Sequence, residues 1–131
     1  MRRIALTAAL LALTLAGCSD DQPLTVKGAI TVTNTAGGGW DSPSGVCQLS
    51  DGYNDINEGA QVVVSDASAK TLAIGRLGRG NLTEPFSCSF SFTVSGVPAG
   101  EKSYGVEVSH RGRIQYPAAE LAQPLALTLG S

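Results

Sequence analysis

Polar and apolar residues alternate along most of this chain with a period of two. Leu24, Val26, Ile30 and Val32 fall on one side of an extended segment, and Thr25, Lys27, Thr31 and Thr33 on the other. Successive side chains of a strand point to opposite faces, so this pattern predicts a half-buried β-strand. The clearest alternation follows later, with Phe90, Phe92 and Val94 set against Ser89, Ser91, Thr93 and Ser95. Tyr104, Val106 and Val108 alternate with Glu107 and Ser109, and Leu125, Leu127 and Leu129 with Ala126 and Thr128. Val62-Val63-Val64 is a β-branched run, and Asp66-Ala67-Ser68-Ala69-Lys70 after it predicts a hairpin turn with a return strand over residues 71–77. A short strand is expected at 114–116. Residues 118–122, between Pro117 and Pro124, have room for one helical turn. No segment beyond residue 23 keeps a helical period. About seven short strands separated by Gly and Pro predict an all-β fold, a single immunoglobulin-like or prealbumin-like β-sandwich over residues 24–131.

The first residues follow a different pattern. Met1-Arg2-Arg3 is a short positive start, and residues 4–15 form an apolar run interrupted by Thr7 and Thr14. The run is too short to span a bilayer and suits the apolar centre of a signal peptide. It closes on Leu15-Ala16-Gly17-Cys18, which resembles the lipobox of bacterial lipoproteins. That resemblance implies diacylglycerol attached to the Cys18 thiol, cleavage between Gly17 and Cys18, and a signal peptide over residues 1–17. Residues 18–23 would then be a lipidated cysteine and a short tether. It further implies a protein exported and held by lipid on the outer face of the bacterial cell membrane. Two acyl chains hold a protein stably where one does so only marginally, each buried methylene contributing about 0.8 kcal/mol.

Composition adjusts the picture in two ways. The net charge is −2, and it becomes more negative once Arg2 and Arg3 are removed. Such a balance argues against nucleic acid as a partner, since phosphate binding needs a basic patch. The chain has three cysteines, Cys18, Cys47 and Cys88. An odd thiol in an exported protein asks for an explanation. With Cys18 carrying lipid, Cys47 and Cys88 are free to pair in an oxidising compartment. The alternative is two buried free thiols; with His110 as the one histidine, they make a poor zinc set.

The middle of the chain carries a second resemblance. Gly59-Ala60-Gln61-Val62-Val63-Val64-Ser65-Asp66 leads through a turn to Leu72-Ala73. Then come Phe90-Ser91-Phe92, Val97-Pro98-Ala99-Gly100 and Tyr104-Gly105-Val106-Glu107-Val108. This order resembles prealbumin-like modules such as carboxypeptidase regulatory and collagen-adhesin B-type domains. With the segment 47–59 it is also similar to secreted and lipoprotein families of actinobacteria. The likeness covers roughly residues 47–116. Adhesin modules often carry a Lys–Asn isopeptide bond; here Lys27 lies on the first strand, but the last strand has no Asn, so that cross-link is not expected.

Candidate chemistry is sparse. Residues 34–46 form a long irregular segment with Gly37-Gly38-Gly39 and the single tryptophan, Trp40. Long loops in small domains are often functional, so Trp40 is either a contact for a protein or glycan partner or an indole packed over one end of the sandwich. Asp51, Asn54, Asp55, Asn57 and Glu58 offer the oxygen ligands that Ca²⁺ prefers. EF-hand spacing fails at Tyr53, and a turn-rich connection with Asx side chains bonding their own backbone is the preferred reading. His110 is expected in a turn without a catalytic role, and Arg76, Arg79, Arg111 and Arg113 as scattered surface charge. No catalytic, metal or cofactor site is expected. The sequence points to a non-enzymatic binding or accessory module of the cell envelope, with a small envelope enzyme or enzyme inhibitor as the alternative.

Overall fold

The structure, a computed structural model, describes residues 22–33, 40–41, 45–49, 52–84 and 87–130. Residues 1–21, and with them the expected signal peptide, Cys18 and most of the expected tether, lie outside the described residues. Among the described residues there are nine strands and no α-helix. They are β1 (Leu24–Val32), β2 (Trp40–Asp41), β3 (Val46–Cys47), β4 (Gln61–Ser65), β5 (Thr71–Glu84), β6 (Ser87–Val97), β7 (Ser103–Val108), β8 (Arg113–Pro117) and β9 (Leu125–Leu129). The expected helical turn is a 3-10 helix, Ala118–Ala122. The fold is all-β: one continuous sheet, ordered β8-β7-β4-β5-β6-β1-β9, curls on itself into a sandwich- or barrel-like form. The short β2–β3 ribbon attaches to β5 through Val46 opposite Asn81.

The alternation explains the core. In β6 the buried positions Cys88, Phe90, Phe92 and Val94 alternate with Ser89, Ser91 and Thr93, as a sheet with one covered face requires. Val26, Ile30 and Val32 of β1, Val62 and Val64 of β4, and Tyr104, Val106 and Val108 of β7 fill the same interior. From β9, Leu125 and Leu127 complete it. The β9 strand runs parallel to β1, with Ile30 opposite Leu127, so the sheet is mixed. Alternation alone gives the face of a strand and leaves its direction open.

Strand structure goes beyond the sequence pattern in two places. The β5 strand continues beyond Leu77 to Glu84 through Gly78-Arg79-Gly80, where apolar alternation stops. Its register with β6 shifts between Leu77 and Gly80, as at a bulge. Gly80 is required there: a Cβ at that position would lie 2.6 Å from Phe90 Cε1 and 2.5 Å from the Cys47 carbonyl oxygen. Within residues 34–46, expected to be irregular, Trp40–Asp41 form β2 and Val46 begins β3.

Tyr104 ties the turn between β6 and β7 to the core. It is fully buried; its hydroxyl donates to the Pro98 carbonyl at 2.8 Å and accepts from the Glu101 backbone N–H at 3.3 Å. Tyr104→Phe removes a donor and an acceptor and leaves the turn's backbone groups without that partner. It is expected to cost about 1–2 kcal/mol in urea unfolding at an unchanged m-value.

Candidate functional site

Three groups of residues singled out by the sequence meet around one end of the sheet. The first is the cysteine pair. Cys47 and Cys88 form a disulfide with Cα atoms 6.1 Å apart, and both are buried. Asn81 of β5 pairs with Val46 of β3, and Leu82 pairs with Cys88 of β6, so the bridge fastens the β2–β3 ribbon across β5. In that ribbon the backbone of Trp40 is opposite Cys47. Whether the indole is presented or packed lies outside the described residues.

The second group is the polar connection into β4, of which Asp51 lies outside the described residues. Asn57 organises it. Its Oδ1 accepts from the Leu49 N–H at 2.8 Å, and its Nδ2 donates to the Leu49 carbonyl at 3.0 Å and the Asn54 carbonyl at 3.1 Å. The backbone closes two turns, Ile56 N–H to Tyr53 O and Ala60 N–H to Asn57 O. Ile56 is buried beneath them. An amide that satisfies backbone groups on either side of its own loop stabilises that loop without a ligand.

The third is Arg111, expected only as surface charge. It reaches from the β7–β8 turn and clamps this connection. Its Nε donates to Asp55 Oδ2 at 2.9 Å, its Nη2 donates to Asp55 Oδ1 and to the Gly52 carbonyl, and its guanidinium lies 5.3 Å from the Tyr53 ring centroid. A bidentate fork with a ring face beneath it is a geometry that arginine provides and lysine does not. The Arg111 hydrogen bond holds the Asp55 carboxyl below its ordinary range, partial burial opposes this, and the Ser109 hydroxyl adds to the lowering. Asp55 is therefore already neutralised by a cation of its own chain. Among the described residues no group of three or more His, Cys, Asp or Glu could hold a metal ion. His110 sits exposed in the same turn.

The sign of the Asp55 shift sets a pH dependence. Its folded-state affinity for protons is lower than its unfolded one, so the pair stabilises the protein above the ordinary carboxylate range. That contribution is lost as pH falls through the lowered value. The pair is partly exposed, so the loss is at most about 1 kcal/mol. Acid titration of stability is expected to be shallower below about pH 5 in Arg111→Gln than in the native chain. Parallel acid profiles would contradict the clamp.

A further set of residues was not found from the sequence. On the sheet face away from the core, Val63, Ser65, Ala69, Thr71, Glu107 and Arg113 line a groove of about 340 Å³. Register explains the grouping: Val63 is opposite Glu107, Glu107 opposite Arg113, and Ser65 opposite both Gly105 and Thr71. Ser65 is 3% exposed, yet its hydroxyl has no hydrogen-bond partner. Comparison with family models, with curated proteins and with solved structures gives no match for this chain.

Proposed function

We propose that this protein is a lipid-anchored module of the bacterial cell envelope. In this reading it is exported, cut before Cys18, and held on the outer face of the membrane by diacylglycerol on that cysteine. The β domain is a non-enzymatic binding or accessory unit for a protein or glycan partner, and nucleic acid is not one of its ligands.

One observation carries the anchor. Of three cysteines, Cys47 and Cys88 are joined to each other, which leaves Cys18 as the cysteine outside the bridge. It stands in Leu15-Ala16-Gly17-Cys18, after an apolar run and a basic start. A disulfide needs an oxidising compartment, and export supplies one. The lipobox and the cross-link thus support the same route. With β1 beginning at Leu24, the tether of residues 19–23 reaches at most about 17 Å, which would hold the domain close to the lipid surface.

Cys18→Ala tests the anchor in growing cells. The native chain should fractionate with membranes in its processed form, and the variant should accumulate uncut or leave the membrane fraction. A variant that stays membrane-bound and equally processed would remove the lipoprotein reading.

A further inference from the structure

Strand direction sorts the connections between two ends of the domain. β1, β5, β7 and β9 run away from the end where Leu24 lies, and β4, β6 and β8 run back toward it. The near end therefore holds three returns: residues 66–70 between β4 and β5, 98–102 between β6 and β7, and 118–124 between β8 and β9. The far end holds the connection from β1 to β4, with the β2–β3 ribbon, its disulfide and the loop organised by Asn57, and the 109–112 turn that carries Arg111. Val32, Cys88 and Leu82 lie side by side there on β1, β6 and β5.

Length decides which end can meet lipid. β1 has nine residues and so spans about 27 Å. The tether of residues 19–23 reaches at most about 17 Å. With Cys18 held in the bilayer, Leu24 stays within that reach, so the domain cannot invert and set the far end of β1 on the lipid. It would lie on its side only if a sheet face attracted lipid. Among the described residues the exposed large apolar side chains are Ile74 and Ile114. Ile74 is opposite Val63 on the outer face, Ile114 is opposite the buried Val106 on the inner one, and β4 and β7 stand between their strands. Two isolated side chains on opposite faces do not make the apolar face that lies in a membrane interface.

We infer that the 66–70, 98–102 and 118–124 returns face the lipid headgroups, and that the far end, with the β2–β3 ribbon and the loop clamped by Arg111, faces away from the membrane as the surface open to a partner. The inference rests on the lipid anchor and adds which part of the domain the anchor leaves accessible. The near end is built to sit on a surface without entering it. Its returns are short and closed by their own groups: Asp66 Oδ1 accepts from the Ser68 and Lys70 N–H groups at 2.8 and 2.9 Å, Tyr104 holds the 98–102 turn, and the Ala118 N–H donates to the Lys102 carbonyl at 3.0 Å. Lys70 and Lys102 stand there against Asp66, Glu101 and Glu120, so the near end has no net attraction for anionic lipid. Tether length, not charge, sets the orientation.

The test uses the lipidated full chain in phosphatidylcholine vesicles that carry a nitroxide quencher on a fraction of their headgroups. Cys47 and Cys88 are bonded, and the Cys18 sulfur is a thioether in this reading, so one added thiol takes a fluorophore selectively. Ser68→Cys and Ala119→Cys place it at exposed positions of the near end, and Thr83→Cys and Thr128→Cys at exposed positions toward the far end. Near-end labels are expected to be quenched at least about threefold more than far-end labels, because the ends of β1 lie about 27 Å apart. The ratio should persist in high salt and with anionic lipid added. Lengthening the tether with Gly and Ser residues should shrink it. Equal quenching at all four positions, stronger quenching at the far end, a ratio lost in high salt, or one indifferent to tether length would each overturn the inference. Flotation of the same vesicles keeps the two readings apart: a chain that floats with equal quenching removes the orientation and leaves the anchor standing, and a chain that does not float removes both.

Discussion

Replacing Cys47 and Cys88 together by alanine is expected to remove about 4 kcal/mol of stability, a large part of what a domain of this size possesses. The bridge closes a sequence separation of 41 residues, and on the chain-entropy model a cross-link of that span restricts the unfolded ensemble by about this amount. A local effect adds to the global one. Among the described residues, the register pair Val46–Asn81 and the hydrogen bond from the Leu82 N–H to the Gly45 carbonyl join the β2–β3 ribbon to β5. Without the bridge, that ribbon and the Leu49 backbone held by Asn57 are expected to open before the core does. Urea unfolding of the oxidised protein against the double variant measures the first effect, and amide exchange at residues 45–49 the second. A stability difference below about 1 kcal/mol would show that the bridge does not constrain the chain as argued.

Phe90→Ala is expected to cost about 3–5 kcal/mol. Phe90 is fully buried at the middle of β6, and its ring occupies the space left free by Gly80 on the neighbouring strand. Truncation empties a volume that cannot close easily, because the ring is bordered by backbone of β5 and by the Cys47 carbonyl, which the disulfide keeps in place. Phe90→Leu, which retains most of the apolar volume, should cost clearly less. The two variants differ in how much empty space they leave, so equal losses would contradict packing as the cause. Chemical unfolding at constant m-value separates this from a change in the unfolded state.

The strands that bury one face were legible because the covered face imposes a period of two. Residues 89–95 and 104–108 are the clearest cases, and both lie in the sheet with the expected side inward. Where backbone proximity replaced apolar packing, the signal vanished. Gly78-Arg79-Gly80 reads as a break, yet β5 runs through it, because glycine there makes room for the Phe90 ring. The disulfide could be anticipated by parity, a property of the whole chain. The Arg111–Asp55 clamp could not: its partners are 56 residues apart, and neither carries a local mark of the other. Ser65 was legible as the end of a strand but not as a buried group, since its burial depends on an arginine stem from two strands away that crosses a glycine on the neighbouring strand. For the 51–58 connection, the expected Asx bonding is present in Asn57, while the charge balance of Asp55 comes from a residue that sequence order places far off.

Cys47 and Cys88 are joined to each other, and the proposed reading gives the third cysteine, Cys18, to the lipid anchor. Mass spectrometry of the N-terminal peptide of the protein isolated from its native membrane tests it in one measurement. The predicted species begins at Cys18 and carries diacylglycerol as a thioether on that sulfur. A peptide beginning at Cys18 with an unmodified sulfur, or one that still contains Arg2 and Arg3, would contradict the account.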